Sequence, residues 1–248
     1  MVRKLHDFIY RKIMGKRLEK INKMNIQDLV ESPINKLWKE HDNESYCAFS
    51  PISVDEIPSE GLVFIGLNPS LPEKEKERLI VKNDKQCEFY SLNKESQQDY
   101  KYFKKFKDIS EKTNLEWGHI DLLYCRETNQ GNVEKIYNTE RGLDFIYQQL
   151  MISKTVIDKI IDEKKPRIFV VNNTLSREFL GNYHSQQPEN KSTNWMGYDF
   201  VWNEKYGTYV YKNNPFFLTS MLTGQRALDN GSYERLIWQI NRVKNILK

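Results

Sequence analysis

Gly61-Leu62-Val63-Phe64-Ile65-Gly66-Leu67-Asn68-Pro69-Ser70 is the stretch on which the fold turns. The apolar run Leu62 to Ile65 has the length and composition of a buried strand. It ends in Gly66, a residue that permits a tight bend and the close approach of a ligand. Pro69 pushes Asn68 out of the α region and fixes its own φ. The Asn68 carboxamide is thereby held at the mouth of a strand, where open α/β sheets bind ligands. It has two readings: it orients an attacking water, or it ties the turn through its own side chain.

Outward from this stretch, strand and helix patterns alternate. His119-Ile120-Asp121-Leu122-Leu123 reads as a second strand, Arg167 to Val171 as a third and Pro215 to Thr219 as a fourth. Helices are expected at 72–80, 97–112, 140–162, 174–180 and 232–247, from apolar residues at helical spacing and from Pro and Gly at their ends. Phe200-Val201-Trp202 and Thr208 to Tyr211 suggest a hairpin, and 182–197 a polar excursion. Residues 25–60 are mixed, with Pro33, Pro51 and Pro58 marking turns. Strands separated by helices imply an α/β fold, a parallel sheet covered on both faces. Right-handed crossovers gather the strands' C-terminal ends on one edge. Asn68, Asp121 to Arg126, Asn172-Asn173 and Thr219 to Thr223 then converge there.

The chain of 248 residues is 39% hydrophobic and 12% aromatic, enough for a sizeable core. One domain with an appendage is expected: a basic, helical extension over 1–60 packed on a core domain over 61–248. No apolar run approaches a membrane span, and no signal-peptide core opens the chain, so a cytoplasmic protein without membrane contact is expected. Cys47, Cys87 and Cys125 form no CxxC, and the histidines show no ligand spacing. Neither a metal nor a cofactor is expected. GxGxxG, the P-loop, HExxH and GxSxG are all missing.

Net charge is +4, but residues 1–24 alone hold eight Lys/Arg against Asp7 and Glu19. Leu5, Phe8, Ile9 and Ile13 place an amphipathic helix there. Its basic face is either a patch for phosphate backbones or an ordinary solvated surface. Of the two asparagines after the third strand, Asn172 is assigned to reading a base edge and Asn173 to capping the next helix. Phe89, Tyr90, Phe103 and Phe106 are stacking candidates or core residues. The segment Thr219 to Arg226 contacts phosphate or is a plain loop into a helix, and Ser232 is a candidate cap for the last helix.

The order of these segments resembles the uracil-DNA glycosylase superfamily. Gly66-Leu67-Asn68-Pro69 matches the Gly-x-Asn/Asp-Pro motif that ends the family's first strand. Asn172-Asn173-Thr174-Leu175-Ser176 is similar to the Asn-x-x-Leu-Thr/Ser of its third. Ser220-Met221-Leu222-Thr223 resembles the second half of the family's His-Pro-Ser-Pro-Leu-Ser loop, and Cys125-Arg126 an element of the iron–sulfur members. The resemblance covers about residues 60–247. It implies a three-layer α/β/α sandwich around a central four-stranded parallel sheet, monomeric and directed to DNA. It makes Asn68 the catalytic, water-positioning residue. Gly66, Leu67, Phe89, Tyr90 and Asn172 would bind the base. Pro69, Ser70, Ser220, Met221, Thr223 and Arg226 would bind DNA, and Leu222 would wedge into the vacated stack. Two departures matter. The family's catalytic His falls on Leu218, and Ser70 replaces the Tyr that excludes thymine. The cluster cysteines are missing, so no iron–sulfur centre is expected. The resemblance thus implies a slow or inactive hydrolase of uracil or another altered base, or a member of the same fold that binds nucleic acid or a nucleotide without cutting.

Overall fold

The computed structural model describes residues 23–81, 89–93, 100–183, 195–224 and 226–247. The expected N-terminal amphipathic helix and most of the polar excursion lie outside these residues.

The strand of the opening motif, β4 (Gly61–Gly66), is buried along its whole length. It forms the middle of a sheet with β6 (Trp117–Asp121) on one side and β7 (Arg167–Val171) on the other, both parallel to it. A further parallel strand, β11 (Asn214–Leu218), pairs with β7. β10 (Thr208–Tyr211) and β9 (Tyr198–Asn203) then add an antiparallel arm, and β8 (Gly181–Tyr183) lies parallel to β9. The order is β6-β4-β7-β11-β10-β9-β8. The sheet is therefore mixed and wider than the four-stranded one expected. The hairpin read in the sequence is not a separate flap. It hydrogen-bonds to β11 and continues the sheet, because Tyr211 and Asn214 close a tight connection onto that strand.

Side chains alternate across the pleat. On one face, Val63, Ile65, Phe169, Val171 and Phe216 meet the long helix α5 (Glu140–Asp162) and α6 (Thr174–Leu180). On the other, Leu62, Phe64, Ile168, Val170 and Phe217 meet α3 (Lys104–Thr113) and α7 (Asn230–Leu247). Phe169 stacks on Phe216 and Phe64 on Phe106, each with centroids 4.3 Å apart. Helices thus cover both faces, as the near-continuous apolar strands require.

Two helices and four short strands escape the sequence patterns. Helix α1 (Gln27–Glu40) runs through Pro33, which had marked a turn. Val30, Ile34, Leu37 and Trp38 bury its inner face, and Trp38 packs on Phe145 of α5 at 5.0 Å. This packing outweighs the one hydrogen bond that Pro33 removes. Helix α4 (Gln130–Tyr137) starts at Asn129, whose side chain accepts from the Gly131 N–H. Short strands β1 (Lys23–Asn25) and β3 (Glu56–Pro58) pair with each other, and β2 (Ile52–Val54) with β5 (Tyr90–Leu92). Met24, Ile26 and Ile57 join the same buried cluster as the sheet, so residues 23–60 are built into the core. Helix α2 (Glu73–Val81) lies where charged spacing and Pro72 place it. The second strand ends at Asp121, two residues before its expected end. The last helix is capped by Asp229 and not by Ser232: the Ser232 N–H and hydroxyl both donate to the Asp229 carboxylate, which holds that carboxyl below its usual range.

Candidate functional site

The chain leaves β4, adds β6 on one side and then crosses to β7 on the other. The connections flanking the C-terminal end of β4 therefore depart to opposite faces, and a crevice opens there. A cleft of about 1480 Å³ occupies this place. Leu67, Asn68, Pro69 and Ser70 line it after β4, Asp121, Tyr124 and Arg126 after β6, and Asn172 and Asn173 after β7. Met221 to Gly224 and Arg226 close the side beyond β11, and Phe89, Tyr90, Tyr100 and Tyr102 form an aromatic rim.

Asn68 performs the turn-tying role, and its geometry leaves the other role open. Its amide nitrogen donates to the carbonyls of Pro69 (3.1 Å), Cys125 (3.3 Å) and Glu127 (2.6 Å). Three acceptors around one atom identify it as the NH₂ end, so Oδ1 is the end left over. Among the described residues no donor reaches that oxygen. The same wall is reinforced by the Glu127 N–H on the Pro69 carbonyl, by the Leu71 N–H on the Thr128 hydroxyl, and by Arg126 paired with Glu75 at 2.8 Å.

Asn172 is buried, its backbone N–H donating to the Ile65 carbonyl. Its side-chain amide donates to the Tyr102 hydroxyl at 3.1 Å, while Oδ1 has no hydrogen-bond partner. An unpaired buried acceptor costs about 1–3 kcal/mol, a cost that a donor-bearing ligand offsets. Burial, then the nearby Asp121 charge, pushes the Tyr102 phenol above its usual range, so Tyr102 is a neutral hydrogen-bonding group. Tyr102 still lines the cleft and is 38% exposed, and Tyr90 is more exposed again, at 53%. Asn173 caps α6, accepting from the Leu175 and Ser176 N–H groups.

Of the other expected residues, Phe89 is half-buried on the rim. Gly66 lies beneath the cleft, not on its wall, and Ser220 is half-buried outside it. Leu222, expected as a projecting wedge, is 2% exposed and packs in the cluster of Tyr233, Leu236 and Ile237. The loop folds back on itself there, the Leu228 N–H donating to the Met221 carbonyl, and this turns Leu222 inward. Met221 is the half-exposed apolar side chain of the segment. Phe103 and Phe106 are buried core residues. Cys125 is buried too, and burial raises its thiol to about 12, which removes it as a nucleophile.

One pair was missed. His119 Nε2 stands 3.3 Å from Asp121 Oδ1, and both residues line the cleft. They sit at i and i+2 of β6, hence on one face, a signal that was present in the sequence. The His119 ring is boxed by Phe103 at 5.2 Å, Phe106 at 5.5 Å and Tyr102 at 5.9 Å. Gly66 faces the pair: a Cβ there would collide with Asp121 Oδ1 and lie 2.8 Å from His119 Nε2.

Among the described residues no cluster of His, Cys, Asp and Glu is arranged to hold a metal ion, and no helix is long and apolar enough to cross a membrane. Comparison of the chain with protein-family models, curated proteins and solved structures finds no match.

Proposed function

We propose that this chain is a uracil-DNA glycosylase-like protein, its cleft receiving a base turned out of DNA and hydrolysing the N-glycosidic bond. One observation carries the reading: Asn68, Asn172, the aromatic rim, Met221 to Gly224 and Arg226 come from distant parts of the chain and line a single cleft. The four parallel strands, in the order β6-β4-β7-β11 with helices on both faces, suit the three-layer architecture of that superfamily.

In this reading the base stacks against Tyr90 or Tyr102, since base–aromatic stacking contributes about 1–3 kcal/mol. Asn172 accepts from a ring N–H of the base through its unpartnered Oδ1. Asn68 Oδ1 holds the attacking water at the sugar. An asparagine is a weak base, so its contribution is orientation. With Leu218 at the place of the family's His, stabilisation of the departing base anion falls to the neutral Tyr102 hydroxyl and backbone N–H groups. A slow enzyme follows, with DNA as partner and the cytoplasm as setting.

The test is incubation of excess protein with single- and double-stranded oligonucleotides carrying uracil, hypoxanthine or mismatched thymine, followed by alkaline cleavage. Strand breaks at one altered base, abolished by Asn68→Ala, are the expected result. Salt-sensitive binding with no abasic sites on any substrate would reduce the protein to a non-catalytic nucleic-acid binder.

A further inference from the structure

Resting on the reading above, we infer that Asp121 is the carboxylate that accepts the proton of the attacking water, and that His119 positions it. The proposed chemistry lacks a base: Asn68 can orient water but gains little by taking its proton. Asp121 meets the geometric requirement. It pairs in register with Gly66, two residues before Asn68, at the C-terminal end of the adjacent parallel strand. Its side chain is 16% exposed, and that exposure opens into the cleft. Absence of a side chain at Gly66 is what lets the carboxylate lie over the end of β4.

His119 is 4% exposed, and its buried Nε2 lies 3.3 Å from Asp121 Oδ1 but makes no hydrogen bond there or elsewhere among the described residues. Packed edge-on or tilted against Phe103, Phe106 and Tyr102, the nearly buried ring is held in place beside the carboxylate. Its role is to lie against one carboxylate oxygen, Oδ1, and leave the other for water. Among the described residues, the phenols of Tyr102 and Tyr124 also feel the Asp121 charge.

The step balances. As the C1′–N bond breaks, its electron pair departs with the base. The water oxygen bonds to C1′ and one water proton passes to Asp121. Asp121 returns that proton to solvent, and the base anion takes one up from solvent.

Single-turnover cleavage of whichever substrate the wild-type protein cuts tests the assignment, with binding measured separately on an uncleavable 2′-fluoro oligonucleotide. Asp121→Asn, nearly isosteric, is expected to slow cleavage about 100-fold or more while binding stays within about threefold. Formate is expected to restore part of the activity of Asp121→Ala, which a structural role would not permit. His119→Gln is expected to slow cleavage about 10-fold, and adding it to Asp121→Asn to cost nothing further, since the two act as a unit. Cleavage by Asp121→Asn within about threefold of wild type, or equal losses of binding and cleavage without formate rescue, overturns the assignment while leaving the glycosylase reading intact. A wild-type protein that cuts no substrate overturns the glycosylase reading, and the assignment falls with it.

Discussion

An aspartate at position 68 would set a negative charge against the three carbonyl oxygens that now receive the Asn68 amide. Asn68→Asp is therefore expected to destabilise the protein by about 1–3 kcal/mol in urea unfolding, although it installs the other residue type of the Gly-x-Asn/Asp-Pro motif. Gly66→Ala pushes a methyl group into Asp121 and His119. It should cost about 1–3 kcal/mol by overpacking and also impair the cleft, seen as weaker oligonucleotide binding or slower cleavage. Asn68, Asn172 and Asn173 were legible in the sequence because they stand where an apolar run gives way to polar residues. The inward turn of Leu222 was not, because a bond between Leu228 and Met221 decides it and no local pattern encodes that bond. The His119–Asp121 pair was half legible. Strand alternation puts the two on one face, but only the register of β6 against β4 shows that Gly66 makes room for them.

Among the elements, α5 does more than cover the sheet. Gln149, fully buried on it, accepts the backbone N–H groups of both Tyr124 and Cys125. Ser153, one turn further on, donates to the Leu122 carbonyl. The exit of β6 is thus pinned by a helix that starts well after it in the chain. Gln149→Leu keeps the volume and strands two N–H groups, so a loss of about 2–4 kcal/mol is expected in denaturant unfolding. On the other face, α7 is tied to α3 by the Tyr233 hydroxyl, which donates to Asp108 at 2.7 Å and, with Lys112, lowers that carboxyl below its ordinary 3.8. A depressed carboxyl stabilises the fold above its unfolded value and loses that contribution as pH falls through its folded value. Because Asp108 is partly exposed, Tyr233→Phe should cost only about 1 kcal/mol at pH 7, and the difference from wild type should shrink below pH 3.8. The long helices and the parallel strands were legible from period alone. Helix α1 was not: Pro33 is read as a break until Trp38 and Phe145 are known to meet across it.

At the scale of the molecule, the basic excess of residues 1–24 meets a structural boundary. Lys23 already belongs to β1, ion-paired with Glu56, so a truncation that keeps this strand must end at residue 22. Removing residues 1–22 should weaken DNA binding and flatten its dependence on salt, each lost phosphate contact lowering the log–log slope by about 0.7–0.9. An unchanged slope would assign that charge to solvation. The convergence of strand ends into one cleft was legible once a parallel sheet was expected. The antiparallel arm beyond β11 was not seen as part of the sheet, since pairing between distant strands leaves no periodic trace.

The bonds around Asn68 have a mechanical consequence. They join the loop after β4 to the loop after β6, and the Arg126–Glu75 pair extends the seam to α2. That wall of the cleft is therefore cross-linked. Met221 and Arg226, which line the cleft outside this seam, are left free of those bonds and are where the size of a guest is accommodated. Substitutions at Met221 should accordingly change which guests fit, while substitutions in the cross-linked wall change whether the cleft persists at all.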